Sequence, residues 1–370
     1  MRAYNRALID TDALAGNYRY LCSRTPSARM MAMVKSDGYG HSMITAVRVF
    51  HENGCRSFGV AELSEGIGLR DSGCDQEIIV FMGFDHRDRD YLLTHTLTPV
   101  VFCRQDLDCI ARMQRDSQSE LPIYLKFDCG MSRLGFKPQD AAELFDYCRS
   151  LQLSVLGIIS HYPSSDDLDS GNSDHVSQVF SGISKTAGFK DQMRASLCNS
   201  GGILYHRKSH GDMVRAGISL FGYYPDGVQG RQADTAKGLK PAMKYVSRIL
   251  QINQIAAGTG VSYGHTYVTD RETRLAVLPV GYSDGYFRSL SNKAEVLING
   301  SRAPIRGRIC MNMCMADVTD IAGVHRGDEV VLMGTQGAET IDADEIGGWC
   351  DTISYEVLCS IGNNNSREFI

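Results

Sequence analysis

The first residue whose type and position could do chemistry is Lys35. It follows an apolar run, residues 30–34, and two glycines, Gly38 and Gly40, come within five residues of it. A short apolar run bounded by turn formers predicts a strand buried on both faces. A lysine at its end has its amine at the rim, where desolvation favours the neutral, nucleophilic form. The alternative is a lysine that merely ends a strand and points to water.

Composition excludes several classes of function. With 370 residues, 43% of them hydrophobic and 22% charged, the chain is an ordinary globular protein long enough for two domains. The formal net charge of −5, with no basic run, argues against nucleic acid and anionic membranes as partners. No apolar segment follows Met1, and no stretch approaches the length of a membrane span, so we expect a cytoplasmic protein.

The twelve cysteines are scattered along the chain. Cys310 and Cys314 have three residues between them, and no second pair follows at the spacing of a zinc ribbon. We therefore predict structural thiols in a reducing compartment and no metal site.

Apolar runs of strand length alternate with helix-competent segments in the first part of the chain. Together with the strand before Lys35 there are eight, and the other seven lie at residues 57–61, 78–82, 99–102, 123–127, 155–160, 196–198 and 213–217. Eight strands alternating with helices predict a (β/α)8 TIM barrel. The expected fold class is thus α/β plus β, with an N-terminal barrel over residues 1–235 and a C-terminal mostly β domain over residues 236–370.

The C-terminal domain is predicted from a change of composition and hydrophobic pattern after Tyr224. Residues 225–239 are rich in Asp, Gly and Gln and suggest a linker. Strand-like runs separated by glycine-containing turns follow at residues 245–255, 274–280, 294–298, 303–309 and 329–333. One helix is expected at residues 342–350.

In such a barrel the chemistry lies at the carboxyl ends of the strands. Polar residues of suitable types end several predicted strands: Lys35 the first, Lys126 and Asp128 the fifth, His161 the sixth, Asn199 and Ser200 the seventh, and Arg215 the eighth. We expect these residues to surround the opening of the barrel at the carboxyl ends of its strands.

The segment 34–41 resembles the lysine motif that binds pyridoxal phosphate (PLP) in the alanine racemase family. Further segments resemble this family in its order and near its spacing, at residues 126–135, 160–161, 199–200, 215–222, 261–267, 281–285, 307–315 and 355–359. The resemblance covers nearly the whole chain. It implies an isomerase that interconverts L- and D-alanine and supplies D-alanine for a bacterial cell wall.

The resemblance also implies which residues bind PLP. Lys35 would bind the cofactor covalently, and Arg215 would be the partner of its ring nitrogen. The other implied cofactor contacts are Tyr39, His161, Asn199, Ser200, Gly217, Ile218 and Tyr355. Because an arginine keeps its proton, the ring would be a weaker electron sink, which favours return of the proton over transamination.

Racemisation exchanges a proton on both faces of the α-carbon, so it needs two bases. The resemblance implies Lys35 for one face and Tyr263, within residues 261–267, for the other. A phenol is a poor base at neutral pH and needs a cationic or hydrogen-bonding neighbour. In the family a histidine provides this contact, and the resemblance implies His161 for that role. Tyr263 would come from the other subunit, so a homodimer with shared active sites is implied.

The implied substrate site contains Arg133, Lys126, Met311 and Tyr282. A bidentate guanidinium suits the substrate carboxylate, and Lys126 matches a lysine that is often carbamylated, whose negative charge would orient Arg133. Tyr282 would narrow the entrance.

Three departures from the family pattern bear on the substrate. Asn312 stands where the family usually has aspartate, Ser196 where it has histidine, and residues 362–367 replace a segment with an extra arginine. Tyr355 would crowd the pocket for the substrate side chain, which favours alanine. Asn312 leaves serine as an alternative substrate, since a pocket rejects one added hydroxyl only weakly.

Two other functions share this fold. A decarboxylase of basic amino acids lacks the 261–267 motif and pairs the ring nitrogen with an acidic residue, which Arg215 argues against. A non-enzymatic PLP-carrying protein lacks the C-terminal β domain.

Overall fold

The computed structural model describes residues 4–167, 171–233 and 238–370, and the chain divides into two compact units. The barrel unit comprises Leu14–Gly38 and Met43–Leu239. The β unit comprises the described part of Met1–Ala13, Tyr39–Ser42 and Lys240–Ile370. The first strand, β1 (Arg6–Ile9), therefore belongs to the β unit rather than to the barrel domain predicted over residues 1–235.

The barrel unit is built on eight parallel strands in the order β8-β7-β6-β5-β4-β3-β2-β9. They are β2 (Arg29–Met33), β3 (Ser57–Val60), β4 (Glu77–Val80), β5 (Thr98–Val101), β6 (Ile123–Lys126), β7 (Val155–Ile159), β8 (Arg194–Ser196) and β9 (Met213–Ala216). β3, β5, β6 and β9 are buried throughout, as expected for a parallel sheet covered by helices. Each strand overlaps one of the eight predicted runs.

The ends of this sheet approach each other and nearly close it into a barrel. The amide of Arg215 in β9 donates to the carbonyl of Cys198 just after β8, at 2.9 Å. The amide of Asp212 donates to the carbonyl of Ala195 at 3.2 Å. The predicted (β/α)8 architecture is confirmed.

Helices and the irregular turn at residues 35–39 precede, connect and follow these strands. They are α1 (Thr11–Arg24), α2 (Lys35–Tyr39), α3 (Met43–Glu52), α4 (Leu63–Asp71), α5 (Asp90–Thr94), α6 (Arg104–Ser117), α7 (Ala141–Ser150), α8 (Asn172–Ser184), α9 (Ser200–Tyr205) and α10 (Val228–Ala233). α7 buries Leu144, Phe145 and Cys148, as its sequence pattern predicts. Among the described residues, no helix is long and apolar enough to cross a membrane.

The β unit contains a seven-stranded sheet, a three-stranded sheet and a two-stranded ribbon. Its further strands are β10 (Met243–Arg248), β11 (Gln251–Ile255), β12 (Gly260–Val261), β13 (Tyr267–Val268), β14 (Thr273–Leu278), β15 (Glu295–Ile298), β16 (Ser301–Pro304), β17 (Cys314–Asp317), β18 (Glu329–Gln336), β19 (Glu339–Ile341) and β20 (Ser366–Phe369). β1 pairs antiparallel with β10 and parallel with β20, which explains why it belongs to the β unit.

Two helices, α11 (Ala343–Cys350) and α12 (Ser354–Asn364), complete the β unit. α11 was predicted, but the expectation of a single helix is wrong, because α12 follows it. The predicted linker at residues 225–239 contains the short helix α10, and residues 234–237 of it lie outside the described part.

Candidate active site

Lys35 lies directly after β2 and opens a turn with an unusual backbone. Ser36, Asp37 and Gly38 have φ angles of 54°, 51° and 64°, in the left-handed region that disfavours residues with a Cβ. The Gly38 amide donates to the carbonyl of Val34 at 2.8 Å, which tightens the turn. Lys35 is thereby held at the carboxyl end of β2, partly exposed.

Two carboxylates hold this turn in place. Oδ1 of Asp37 accepts a hydrogen bond from the Met43 amide at 2.7 Å. Glu65 accepts from the Ser36 amide at 2.6 Å with one oxygen and from the Ala61 amide at 2.7 Å with the other. Glu65 was not predicted as a site residue, because its role depends on the loop after β3 lying beside the loop after β2.

Arg215 lies in β9, one residue before its end, and is only 4% exposed. Its Nη1 donates to the carbonyl oxygen of Ser196 at 2.9 Å and to its hydroxyl at 2.7 Å. Its Nη2 donates to the carbonyls of Ser160 and Leu197 at 2.5 and 3.1 Å. No described residue accepts from its Nε. Burial lowers the pKa of Arg215 to about 10, so the group is still a cation at neutral pH.

His161 follows β7 and lies against this guanidinium, with its Nδ1 3.3 Å from Nη2 of Arg215. Burial lowers the pKa of His161 well below its ordinary value, and the charges of Arg215, Arg133 and Lys126 act in the same direction. The imidazole is therefore neutral. Because a guanidinium can only donate, Nδ1 accepts and the ring proton is on Nε2. Nδ2 of Asn199 lies 3.5 Å from that nitrogen and is itself a donor, so the two form no hydrogen bond in this tautomer.

Lys126 ends β6 and is 8% exposed. Burial, followed by the charges of Arg215, Arg133 and Lys35, lowers the pKa of Lys126 to about 8, while the carboxylate of Asp128 opposes the shift. Four cationic side chains thus act on one another at the mouth of the barrel unit. Such an arrangement favours anionic ligands there.

Asp128 organises the loop that carries Arg133. One of its oxygens accepts from the amides of Gly130, Met131 and Ser132 at 3.0, 2.8 and 3.0 Å, and the other accepts from the Arg133 amide at 2.9 Å. Burial acts to raise the pKa of Asp128, but these four amides outweigh it and hold the pKa below its usual range. The loop presents Arg133 with its side chain exposed.

A group of backbone donors converges on Ser200, the first residue of α9. Asn199 caps this helix. The hydroxyl of Ser200 accepts from the Gly217 amide at 2.9 Å and from the Ser219 amide at 3.4 Å. These amides belong to the start of the 3₁₀ turn Ile218–Phe221, which is buried. Converging amides and a hydroxyl are groups that bind phosphate.

The predicted phosphate-binding tyrosines, Tyr39 and Tyr355, lie together in the β unit. Their ring centroids are 6.2 Å apart and their planes are inclined at 51°. Close backbone contact holds the two segments together, since a Cβ added to Gly362 in α12 would lie 2.0 Å from the carbonyl oxygen of Gly40. Nη1 of Arg367 donates a hydrogen bond to the carbonyl oxygen of Gly40, at 3.4 Å.

The predicted second base and two substrate residues lie on an exposed face of the β unit. Tyr263 is 70% exposed, Met311 56% and Tyr282 43%. Their loops are connected: the Tyr282 amide donates to the carbonyl of Cys310 at 3.1 Å, and the hydroxyl of Ser262 lies 3.4 Å from the sulfur of Cys310. Ser262 has a left-handed φ of 61°, which turns the chain just before Tyr263.

Comparison with known proteins gives the family. The alanine racemase N-terminal domain model matches residues 9–225, and the C-terminal domain model matches residues 242–369. The chain is 36% identical over 369 residues to alanine racemase from Halothermothrix orenii, covering 98% of this chain and 96% of that protein. The chain belongs to the alanine racemase family.

Solved alanine racemase structures have the same fold over their full length. That from E. faecalis superposes with a TM-score of 0.92 at 30% identity and covers 99% of this chain and 98% of its own. That from Bartonella henselae, which contains covalently bound pyridoxal phosphate, superposes with a TM-score of 0.90 at 28% identity, with full coverage of both chains.

Two departures from the alanine racemase pattern have local partners in this structure. The hydroxyl of Ser196, in place of the usual histidine, still accepts from Arg215. Asn312, in place of the usual aspartate, donates its Nδ2 to the hydroxyl of Ser283 at 2.7 Å. Both substitutions therefore replace a charged or larger side chain with one that is hydrogen-bonded within its own unit.

Proposed function

We propose that this protein is a PLP-dependent racemase that interconverts L- and D-alanine. The observation that carries the proposal is Arg215, a buried guanidinium whose terminal nitrogens are bonded to the protein while its Nε is not. Arg215 can donate to the cofactor's ring nitrogen but cannot protonate it, which favours return of the proton over transamination. Membership of the alanine racemase family along the whole chain supports the same activity.

The described residues fit this cofactor. Lys35, at the end of β2, would bind it covalently, and Arg215 would meet its ring. The proposed phosphate contacts are Tyr39, Ser200, Gly217, Ile218 and Tyr355. Support comes from the amides that converge on Ser200 and from the positive charges of Lys35, Arg133 and Arg215 at the barrel mouth. When bound, PLP withdraws electrons from the α-carbon of the amino acid and so acidifies its proton.

Two bases exchange that proton. Nζ of Lys35 removes or returns it on one face of the α-carbon, and Oη of Tyr263 of the partner subunit does so on the other. Tyr263 is held on an exposed loop with a left-handed residue before it, a position in which its phenol can reach another chain.

His161 assists Tyr263. Because Arg215 donates to its Nδ1, the proton on Nε2 is available for the phenol oxygen, and it would stabilise the phenolate that forms when Tyr263 gives up its proton. A neutral imidazole suits this role, since it donates without becoming the base itself.

Arg133 would bind the substrate carboxylate through two hydrogen bonds. We propose that Lys126 is carbamylated and that its negative charge orients Arg133. The lowered pKa of Lys126 supports this, because only the neutral amine reacts with carbon dioxide. Met311 and Tyr282 would complete the entrance to the site.

A homodimer follows from the assignment of Tyr263 to the partner's site. The exposed group Tyr263, Tyr282 and Met311 supports such an interface, because large apolar side chains clustered at a surface favour contact with another chain. We place the enzyme in the bacterial cytoplasm, where it supplies D-alanine for the cell wall.

The test is chiral analysis of alanine after incubation of L-alanine with the PLP-loaded protein. We expect the mixture to approach equal amounts of L- and D-alanine, and L-serine, tested in parallel, to react more slowly. Lys35→Ala should lower the rate by about 10²–10⁴-fold or more, and borohydride trapping should no longer attach the cofactor to the peptide containing residue 35. Lys137→Ala, at an exposed lysine of the barrel unit, is the matched control. Carbon dioxide release without D-alanine would indicate a decarboxylase instead.

A further inference from the structure

A cationic cavity lies at the other end of the barrel unit, by the amino ends of β2 and β9. Its volume is about 440 Å³, which is in the range of small-molecule sites. It is lined by Tyr20, Ser23, Arg24, Pro26, Ser27, Arg207 and His210. The first three belong to the last turns of α1, and Arg207 opens a 3₁₀ turn after α9. No residue of the proposed active site is among them.

The two arginines of this cavity have no carboxylate partner within the described part of the chain. Neither Arg24 nor Arg207 forms an ion pair there, and none of the described lining residues is an aspartate or a glutamate. Nε of Arg24 is buried without a hydrogen-bond partner, while its guanidinium lies 5.9 Å from the centroid of the Tyr20 ring. A buried donor without an acceptor is costly, so a missing acceptor is expected.

His210 lines the same cavity as the two arginines. It is 8% exposed, and a ring nitrogen lies 3.0 Å from the carbonyl oxygen of Ile203. Burial lowers the pKa of His210, and the charges of Arg207 and Arg24 both act in the same direction. Two guanidinium groups that line one cavity without a carboxylate partner among the described residues are stabilised together by a shared anion. The positive charge of this lining contrasts with the formal net charge of the whole chain, which is −5.

We propose that this cavity binds a phosphate group, held by the guanidinium groups of Arg24 and Arg207 and by the hydroxyl of Ser27. Guanidinium groups match phosphate oxygens in geometry and charge, and two of them balance a dianion. The cavity is larger than a phosphate ion, so a phosphomonoester with a small organic part, lying against the Tyr20 ring, also fits. The site is independent of the proposed racemase activity.

The test is isothermal titration of the PLP-loaded protein with inorganic phosphate at constant ionic strength. The cofactor fills its own phosphate site, so added phosphate reports on other sites. We expect saturable binding of one phosphate per chain, with displacement by sulfate but not by acetate. Arg24→Gln and Arg207→Gln should each weaken binding about tenfold. Circular dichroism checks the fold, and Arg207→Gln, at an exposed position, keeps the test valid if the Arg24 variant does not fold.

Lys208→Gln is the matched control. It removes the same charge one residue away from Arg207, on an exposed side chain that does not line the cavity, and should change the affinity less than about twofold. Glycerol 3-phosphate, titrated in parallel, identifies a phosphomonoester as the ligand if it binds more tightly than phosphate, and free phosphate if it does not. Absence of saturable binding for both, or equal weakening by Lys208→Gln, would overturn the proposal.

Discussion

The guanidinium of Arg215 lies 3.3 Å from Nδ1 of His161, and this contact sets the tautomer of the neutral imidazole. The arginine can only donate, so Nδ1 must accept, and burial with the surrounding cations keeps the ring neutral. One contact thereby connects the residue proposed to meet the cofactor ring with the residue proposed to assist Tyr263.

The first prediction concerns the protonation of His161. An ordinary imidazole loses its proton between about pH 5 and 8. Because the folded-state pKa of His161 is lowered well below its ordinary value, its neutral form should persist to lower pH than that of an ordinary imidazole. Nitrogen-15 NMR of labelled protein at neutral pH should show an unprotonated Nδ1 and a protonated Nε2. A protonation step near the ordinary value, or the opposite tautomer, would contradict the assignment.

The barrel was predictable because each of its strands has a local signal. A buried parallel strand is a continuous apolar run, and β3 and β6 can be recognised from their own residues. Lys35 and Arg215 could be located for the same reason, since each lies at or near the end of such a run. Their contacts with other strands depend on the closure of the sheet, which no single segment encodes.

The parts that were missed depend on partners far away in the chain. β1 looks like the opening strand of the barrel domain, yet its edges pair with β10 and β20. α12 contains Gly362 in a Gly/Asn-rich run that suggests a loop, and its helix accepts the glycine because the backbone of Gly40 packs against it. Glu65 carries no motif, and its role follows only from the proximity of two loops.

The second prediction concerns Asp128, whose carboxylate accepts the amides of the loop leading to Arg133. Asp128→Asn replaces one acceptor oxygen with a donor and removes the charge, so the Arg133 amide loses its partner. We expect a KM for alanine raised about tenfold, as for a lost hydrogen bond to a charged group, with cofactor binding unchanged.

Asp146→Asn, at an exposed aspartate paired with Arg149, is the control for the second prediction and should leave KM unchanged. If Asp128→Asn lowered kcat alone and left KM at its original value, the positioning role assigned to Asp128 would be incorrect.

The third prediction concerns Lys126. Its pKa of about 8 lies well below that of an exposed lysine, so its neutral fraction grows as the pH rises through about 8. Carbamylation of Lys126 should therefore increase as the pH rises through about 8. Carbon-13 NMR in labelled bicarbonate should show a carbamate resonance that Lys126→Met abolishes and Lys185→Met, at a lysine on the barrel-unit surface, does not. A carbamate signal that survives Lys126→Met would assign the modification to another residue.

The fourth prediction tests the central claim, that Lys35 and Tyr263 of the partner subunit form one active site. Lys35→Ala and Tyr263→Phe chains should each be inactive as homodimers. Refolded together in equal amounts, they should regain up to about a quarter of wild-type activity, because half of the dimers are mixed and one of the two sites in each is intact. The decisive measurement is the racemisation rate of this mixture, with mixed dimers verified by mass spectrometry. Recovery near one quarter is the predicted result; mixed dimers without any recovered activity would place both bases in one chain and contradict the account.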